Sequence, residues 1–562
     1  MLHNISLRQK IITMIAVMCG LFLVSLDQTI VSTALSAIVD EFDSFSSLSW
    51  IVTAYLLGNT VAVPIAGKLS DLYGRRPMLL IGVALFTITS LFSGSATDIT
   101  QLIAARAVQG VGGGIIMANA FTIIGDLFSM RERGRWQGFI GSVFAIASIV
   151  GPLVGGFFTD EHTIFSIATS WRWNFWLNVP IGIIAFYMIA RYCPVIKHDK
   201  KPTIDYLGAG ALTLALSSLI LAVDNTDKIF SGIIDAGVSL DVVRIALYSL
   251  TAIGTALFIW AEMKAKEPII PLSFFRNRTF SSIMVIALLF GAAFLGAIIY
   301  LTQFNMQVYQ VSATAAGLML IPMVGSITVT SALIGILVTK TGKYKAFFIS
   351  GLALATIAAL FLVTLTPQSP YWYEAIILVA VGLGLGTGMP VMNLAVQNEF
   401  EQQHLGVATA SNQLFRGLGS TIGIAVFGAM LTAGATANLP NIGDSAYVQI
   451  LKSQPAAAKL LTDTSSNTIL NLNTLDALNN VNKGVAAGLA KQQVSKPQKK
   501  QIMDQLREAQ NRFSVTVSEA FAKALRPIFY LSAALMTIAT IVAFGVKERK
   551  LRGRIGDTPG VE

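Results

Sequence analysis

Between residues 67 and 77 the chain reads Gly67-Lys-Leu-Ser-Asp71-Leu-Tyr-Gly74-Arg75-Arg76-Pro77, a short polar segment between two long apolar ones. Gly67 and Gly74 permit a close approach of neighbouring backbones and a tight turn. Pro77 suits the first turn of the helix that follows. Asp71 is able to cap a helix N-terminus or to pair with an arginine. The segment therefore predicts a loop that holds helices together through links that break when the helices move.

The apolar stretches around this loop predict a membrane protein. Of the 562 residues, 54% are hydrophobic and 12% are charged, whereas a soluble domain is about 25% charged. A membrane-spanning helix needs about 20 mostly apolar residues. That rule predicts an all-α polytopic protein with fourteen spans near 11–37, 48–68, 77–96, 100–124, 136–158, 173–192, 205–223, 242–262, 279–302, 314–338, 345–365, 373–395, 406–435 and 524–546.

Basic residues are unevenly distributed over the loops between these stretches. With the N-terminus inside, the short inner loops hold about 17 Lys and Arg and the short outer loops about 3, which is the positive-inside bias. We therefore expect both termini to be cytoplasmic and the protein to lie in the cell membrane. The net charge of +10 reflects this orientation, and we expect no binding to nucleic acid.

The polar residues 437–523 interrupt the pattern before the last span. We expect an extracellular insert there. Its second half, Gln501–Arg526, has apolar residues at helical spacing and is predicted to lie on the membrane as a surface helix or helical hairpin. A role in substrate gating is the alternative.

An internal repeat divides the chain. The pattern Gly67-x6-Gly74-Arg75 recurs as Gly335-x6-Gly342-Lys343, and repeated halves around a central site are typical of secondary transporters. We predict a six-helix bundle in 1–200, two additional spans in 201–265, and a second six-helix bundle in 266–562. The second copy has Thr339 in place of Asp71 and should lack its acidic cap.

Asp27 is a carboxylate in the middle of the first apolar stretch. A charge there costs about 2.5–3.5 kcal/mol on insertion scales. Arg106 lies at a similar depth in the fourth stretch, so we expect both side chains to face the protein interior. Our hypothesis is that Asp27 takes up a proton from outside and releases it inside, and that Arg106 adjusts its affinity for the proton. A static ion pair between spans one and four is the alternative.

Several motifs together resemble the major facilitator superfamily. Its loop signature is matched by Gly67, Leu69, Asp71, Gly74, Arg75 and Arg76. Span four carries Arg106-Ala-Val-Gln109-Gly110-Val-Gly-Gly-Gly114, which resembles the family's second motif. Span five carries Gly151-Pro152-Leu-Val-Gly155-Gly156, which resembles the motif of the family's antiporters. Two longer runs resemble signatures of the fourteen-span drug:H⁺ antiporters: Leu26-Asp27-Gln-Thr-Ile-Val-Ser-Thr-Ala-Leu35 in span one and Trp171-Arg-Trp-Asn-Phe-Trp-Leu-Asn178-Val-Pro180-Ile-Gly182 in span six. The resemblance implies two rocking six-helix bundles plus two central helices, and proton-coupled export of amphiphilic drugs.

Other polar residues in the spans are candidates for a substrate cavity. They are Tyr55, Asn59, Gln109 and Arg416, with Gln303 and Asn305 near the outer end of span nine. Snorkelling towards the inner membrane face is the alternative for Arg416. Asp27 is the only acid that we place in mid-membrane, which favours monocationic, neutral or anionic cargo over dicationic drugs.

Motifs for other chemistries are absent from the sequence. There is no Gly-x4-Gly-Lys-Ser/Thr loop for ATP and no clustered metal ligands, so we expect neither an enzyme nor a cofactor or metal. The partners expected are small amphiphilic substrates, protons and membrane lipids, with the chain as a monomer. The alternatives are an exporter of lipids, glycolipids or amphiphilic metabolites, and a membrane sensor or scaffold that transports nothing.

Overall fold

The computed structural model describes residues 6–42, 48–159, 163–164, 167–195, 204–223, 226–311, 313–438, 445–453, 472–473, 475–491, 495–549 and 551. Within these ranges fourteen helices are long and apolar enough to cross a membrane, so the predicted number of spans is confirmed. Each predicted stretch corresponds to one of these helices, with differences of several residues at the ends, except that the helix of the last span begins 28 residues before the predicted start.

The spans are numbered here in chain order. Their helices are Leu7–Phe42 (span 1), Leu48–Tyr73 (2), Arg75–Gly94 (3), Ile99–Leu127 (4), Met130–Thr159 (5), Arg172–Trp176 with Asn178–Tyr192 (6), Tyr206–Val223 (7), Leu240–Lys264 (8), Arg278–Val308 (9), Ala313–Leu318 with Ile321–Thr341 (10), Lys345–Leu362 (11), Tyr371–Glu399 (12), Leu405–Asn438 (13) and Lys496–Phe544 (14). Shorter helices are Thr226–Ile229, Ser231–Asp235, Ala446–Ser453 and Leu475–Lys491, with 3-10 turns at Leu272–Arg276 and Gln402–His404. A two-residue antiparallel hairpin pairs Thr163–Ile164 with Ile167–Ala168.

The spans form two bundles with separate cores. Spans 1 to 6 share a buried apolar cluster that includes Leu79, Phe86 and Ile116. A larger cluster joins spans 9 to 14 and includes Phe348 and Met392. Spans 7 and 8 pack against each other, and span 7 also contacts span 2. This arrangement confirms the predicted fold of two six-helix bundles with two extra helices.

Span 4 lies against spans 2 and 3 through a run of glycines. A Cβ added at Gly110 would lie 2.2 Å from the backbone oxygen of Tyr55, and one at Gly112 would lie 2.8 Å from the backbone nitrogen of Phe86. Small residues of this kind let helix backbones approach closely in a membrane. Span 4 begins at a cap in which Asp98 accepts a hydrogen bond from the backbone N–H of Gln101, at 2.9 Å. The packing fixes the direction of the polar side chains that span 4 carries.

The insert before span 14 differs from its prediction. The segment Gln501–Arg526 is not a separate helix on the membrane: it belongs to the 49-residue helix Lys496–Phe544, which continues into the last span. Leu506, Phe513 and Val517 are buried, and the Phe513 ring packs on Tyr447 with 4.9 Å between ring centroids. The apolar face is therefore covered by the insert's own residues. Positions 439–444, 454–471, 474 and 492–494 of the insert lie outside the described residues.

Candidate functional site

Asp27 and Arg106 form a buried ion pair between spans 1 and 4. Arg106 Nη1 lies 2.5 Å from Asp27 Oδ2, and the two residues are 0% and 2% exposed. The Tyr55 ring lies 4.3 Å from Arg106 Cζ, and the Phe175 ring lies 5.7 Å from it. Charges this deep need a partner because the desolvation of each ion is costly. The structure thus brings together the two residues that the sequence placed at similar depth.

Two side-chain amides complete the coordination of the Asp27 carboxylate. Gln109 Nε2 and Asn178 Nδ2 each donate to Asp27 Oδ1 at 2.9 Å. The same amides donate to Ser90 Oγ at 3.1 and 3.0 Å, and Arg106 Nη1 also donates to Gln109 Oε1 at 2.8 Å. Every partner of the carboxylate is a donor, so the cluster is built for the ionised form of Asp27.

A cavity of about 500 Å³ lies between the two bundles. Its walls are mainly apolar, with aromatic groups such as Phe144, Phe290 and Phe294, and the volume suits a drug-sized ligand. Of the residues predicted to line a cavity, Asn59 and Arg416 do so. Arg416 therefore faces the interior and does not snorkel to the membrane surface.

The other predicted cavity residues lie elsewhere. Tyr55 and Gln109 are 1% and 0% exposed and belong to the Asp27 cluster, outside the cavity lining. Span 4 is buried nearly all round, so its sequence could not distinguish the face towards the cavity from the face towards span 1. Gln303 and Asn305 are also absent from the described lining, and Asn305 is fully buried.

The loop after span 2 connects the two bundles at one end of the cavity. Asp71 accepts hydrogen bonds from the backbone N–H groups of Gly406 and Val407, at 3.0 and 2.9 Å. It thereby caps span 13, whose first turn exposes unpaired N–H groups. Arg75 contacts Asp71 and donates from Nε to Asp126 Oδ2 at 2.8 Å. Asp71 performs both of the functions that the sequence suggested, and the helix it caps belongs to the opposite bundle.

The glycines of this loop allow the close contact between the two bundles. A Cβ at Gly67 would lie 2.4 Å from that of Ala410, so only glycine allows spans 2 and 13 to approach this closely. Gly74 has a φ of 93°, a conformation that favours glycine. Arg76 donates to the backbone oxygen of Ala190 and stays within its own bundle.

Spans 5 and 10 meet at the same end of the molecule. A Cβ at Gly335 would lie 2.2 Å from the backbone oxygen of Gly134, and one at Gly138 would lie 2.6 Å from that of Ser331. The cavity is therefore closed at the Asp71 end in this conformation.

The second copy of the loop has Thr339 at the position of Asp71 and therefore has no acidic cap there, as its sequence predicts. Thr339 Oγ1 donates to the backbone oxygen of Gly335 within its own helix, at 2.7 Å. Gly342, the counterpart of Gly74, again has a positive φ, of 69°. The two halves thus share the turn geometry and differ in the acidic group.

The predicted antiporter motif lies in span 5 next to span 1. A Cβ at Gly151 would lie 1.9 Å from Thr29 Oγ1, whereas Gly156 faces open space. Gly151 and Gly155 are buried. Pro152 lies in the same helix, but its side chain is outside the described ones. Two residues after Asp27, span 1 is therefore in direct contact with this motif.

Sequence reasoning missed three buried polar groups. Asn178 and Ser90 are 0% exposed and complete the Asp27 cluster. The signal for Asn178 was its position in span 6, in the run that resembles the drug:H⁺ antiporters. Glu374 is a second fully buried acid among the described residues, in the first turn of span 12 and not in the middle of a span. Glu374 lies outside the described cavity lining.

The described residues contain no cluster of three or more His, Cys, Asp or Glu that could hold a metal ion.

Comparisons with known proteins agree with this architecture. The model of the Major Facilitator Superfamily matches residues 17–424. The chain belongs to the major facilitator superfamily. Multidrug transporter protein MdtP of Bacillus subtilis (strain 168) is 37% identical over 439 residues, which cover 78% of this chain and 78% of that protein. Multidrug resistance protein 3 of the same organism is 34% identical over 418 residues, or 74% of this chain and 79% of that protein.

Solved structures of this superfamily share the fold. The proton:xylose symporter XylE is 16% identical, with a TM-score of 0.54 over 75% of this chain and 89% of that chain. The family match and the two relatives together show that this chain is a multi-pass membrane transporter of small molecules, of the efflux type. It is not an enzyme.

Proposed function

We propose that this chain is a proton-coupled antiporter that exports amphiphilic drugs or other toxic compounds from the cytoplasm. The observation that carries the proposal is the buried Asp27–Arg106 pair, beside an apolar cavity that is closed at one end. The names of the relatives, which are multidrug proteins, support the cargo class.

Asp27 is the proton carrier in this proposal. A proton on Asp27 cancels the charge that holds Arg106 and turns one carboxylate oxygen into a donor, facing partners that are donors themselves. The cluster must then rearrange, which gives proton binding a mechanical consequence. Entry of the proton is driven by the membrane potential, by about 2.3 kcal/mol per charge per 100 mV, and by the pH gradient.

The loop that contains Asp71 is the gate that responds to the rearrangement of the Asp27 cluster. Opening the closed end requires Asp71 to leave the N-terminus of span 13, together with separation of spans 5 and 10. We propose that Gly67, Asp71, Gly74, Arg75 and Arg76 form this gate.

The antiporter motif connects the gate movement to Asp27. Through its contact with Thr29, Gly151 links span 5 to the part of span 1 that carries Asp27. We propose that Pro152, Gly155 and Gly156 of the same motif shape this helix. The rocking units are the bundles in 1–200 and 266–562, with 201–265 as an additional helix pair.

The distribution of basic residues orients the molecule. We propose that the Asp71 end faces the cytoplasm, that both termini lie there, and that the insert at 437–523 is extracellular. The protein then works as a monomer in the cell membrane.

The test uses the purified full chain in proteoliposomes with an imposed pH gradient. Cationic, neutral and anionic fluorescent amphiphiles are screened for movement against the proton flow, and each positive compound is repeated with Asp27→Asn. We expect pH-driven movement of at least one class and its loss in Asp27→Asn. A matched control is Asp98→Asn, which changes an exposed helix cap about 12 Å along span 4 from Arg106 and has no contact with the pair. Movement that is unaffected by Asp27→Asn would refute the coupling role.

A further inference from the structure

The cavity has an unusual charge. Among the described residues that line it, Arg416 is the only one with a formal charge, and no acid is present. Arg416 makes no ion pair with any described residue. The Asp27 carboxylate does not offset this charge because it is paired with Arg106 and fully buried. A ligand therefore meets one uncompensated cation in mainly apolar surroundings.

The packing of span 13 holds Arg416 in this position. A Cβ at Gly291 of span 9 would lie 2.0 Å from the backbone oxygen of Arg416, and one at Gly419 would lie 1.9 Å from that of Leu288. Spans 9 and 13 are thus in backbone contact on one side of Arg416. Gly417, also in the cavity lining, has no atom within 4 Å of an added Cβ, which leaves free space beside Arg416.

The depth of Arg416 excludes the membrane surface as its partner. It lies eleven residues after Leu405, where span 13 begins, or about 16 Å at 1.5 Å per residue. Polar neighbours in the lining are Gln413 and Asn393, whose amides are able to donate or accept further hydrogen bonds. A guanidinium with free donors at this depth matches a carboxylate, sulfonate or phosphate, which it binds through two parallel hydrogen bonds.

We propose that the cavity selects amphiphiles with a single anionic head group, which pairs with Arg416 while the apolar body lies against Phe144, Phe290 and Phe294. The proposal rests on the proposed export function and names its substrate class. It makes Arg416 the residue that determines specificity. It also places the head group on the helix whose N-terminus Asp71 caps, about 15 Å from Gly406.

The experiment compares two probes that differ only in their head groups: a dansyl-labelled undecanoate and a dansyl-labelled undecyltrimethylammonium. Binding to the purified full chain in detergent is measured by dansyl fluorescence. We expect the carboxylate to bind at least tenfold more tightly than the ammonium compound. Arg416→Gln should abolish the preference and Arg416→Lys should retain part of it. Arg512→Gln removes the same charge from an 80% exposed side chain and should change nothing.

The outcomes separate this proposal from the export function. Equal or tighter binding of the ammonium probe overturns the proposal, as does a carboxylate preference that survives in Arg416→Gln with unchanged thermal stability. If the ammonium probe is then moved by a pH gradient, the export function stands without the anion preference. If the carboxylate binds through Arg416 but no gradient moves it, the site is supported and the export function fails.

Discussion

Replacing Asp71 by Ala should open the closed end of the transporter. The substitution removes the acceptor for the N–H groups of Gly406 and Val407, and it leaves Arg75 with Asp126 as its remaining acidic partner. Each hydrogen bond to a charged group contributes about 1.5–3 kcal/mol. Water takes the place of part of these interactions once the end opens, so we estimate that the two hydrogen bonds together stabilise the closed conformation by about 2–3 kcal/mol. At about 1.4 kcal/mol per factor of ten, the closed-to-open ratio should fall about 30- to 140-fold.

The assay is a distance measurement by pulsed EPR. Cys19 and Cys193 are replaced by Ala, and spin labels are attached at Tyr73 and Gln403, which are exposed at the ends of the two linked elements. Asp71→Ala should add a longer-distance population. The control Asp98→Ala also removes a carboxylate helix cap, but it breaks no contact between bundles. A distance distribution for Asp71→Ala that equals that of the control would refute the gating role.

Three further predictions concern packing and the insert. Gly151→Ala should destabilise the protein by about 1–3 kcal/mol because the added Cβ overlaps Thr29, whereas Gly156→Ala should be tolerated. Thermal unfolding of both variants measures the difference. Equal stabilities of the two variants would contradict the prediction. Gly138→Val should separate spans 5 and 10 and reduce transport, since even an added Cβ would lie 2.6 Å from the backbone oxygen of Ser331. Efflux from vesicles measures the transport rate. Efflux at the wild-type rate would argue that transport does not need the close contact of spans 5 and 10. Phe513→Ala should destabilise the insert by about 3–5 kcal/mol and expose it to limited proteolysis while efflux persists; loss of efflux in a folded variant would instead give the insert a role in transport.

The sequence predicts the spans well because the bilayer imposes their length and composition. It also predicts that Asp27 and Arg106 face inward, since neither charge can face lipid cheaply. The sequence does not predict the partner of Asp71. Gly406 is 335 residues away and contributes only a backbone N–H group, which no pattern of side chains indicates.

The faces of the most buried helices were the least predictable. Span 4 is apolar or small almost all round, so Gln109 was placed in the cavity although it binds Asp27. Asn178 follows an aromatic run typical of a membrane interface, and Glu374 begins a span among aromatic residues, so neither stood out as buried. The helix predicted over Gln501–Arg526 was not recognised as part of span 14 because its polar first half gave no sign that it continues into the membrane.

The most direct test of proton carriage by Asp27 is proton release from the purified transporter when substrate is added. In weakly buffered detergent solution, a pH indicator should report release from the wild type on addition of a bound amphiphile. Asp27→Asn should release none, provided that thermal unfolding and amphiphile binding show it to be folded. Equal release from Asp27→Asn and the wild type would contradict the assignment of Asp27 as the proton carrier.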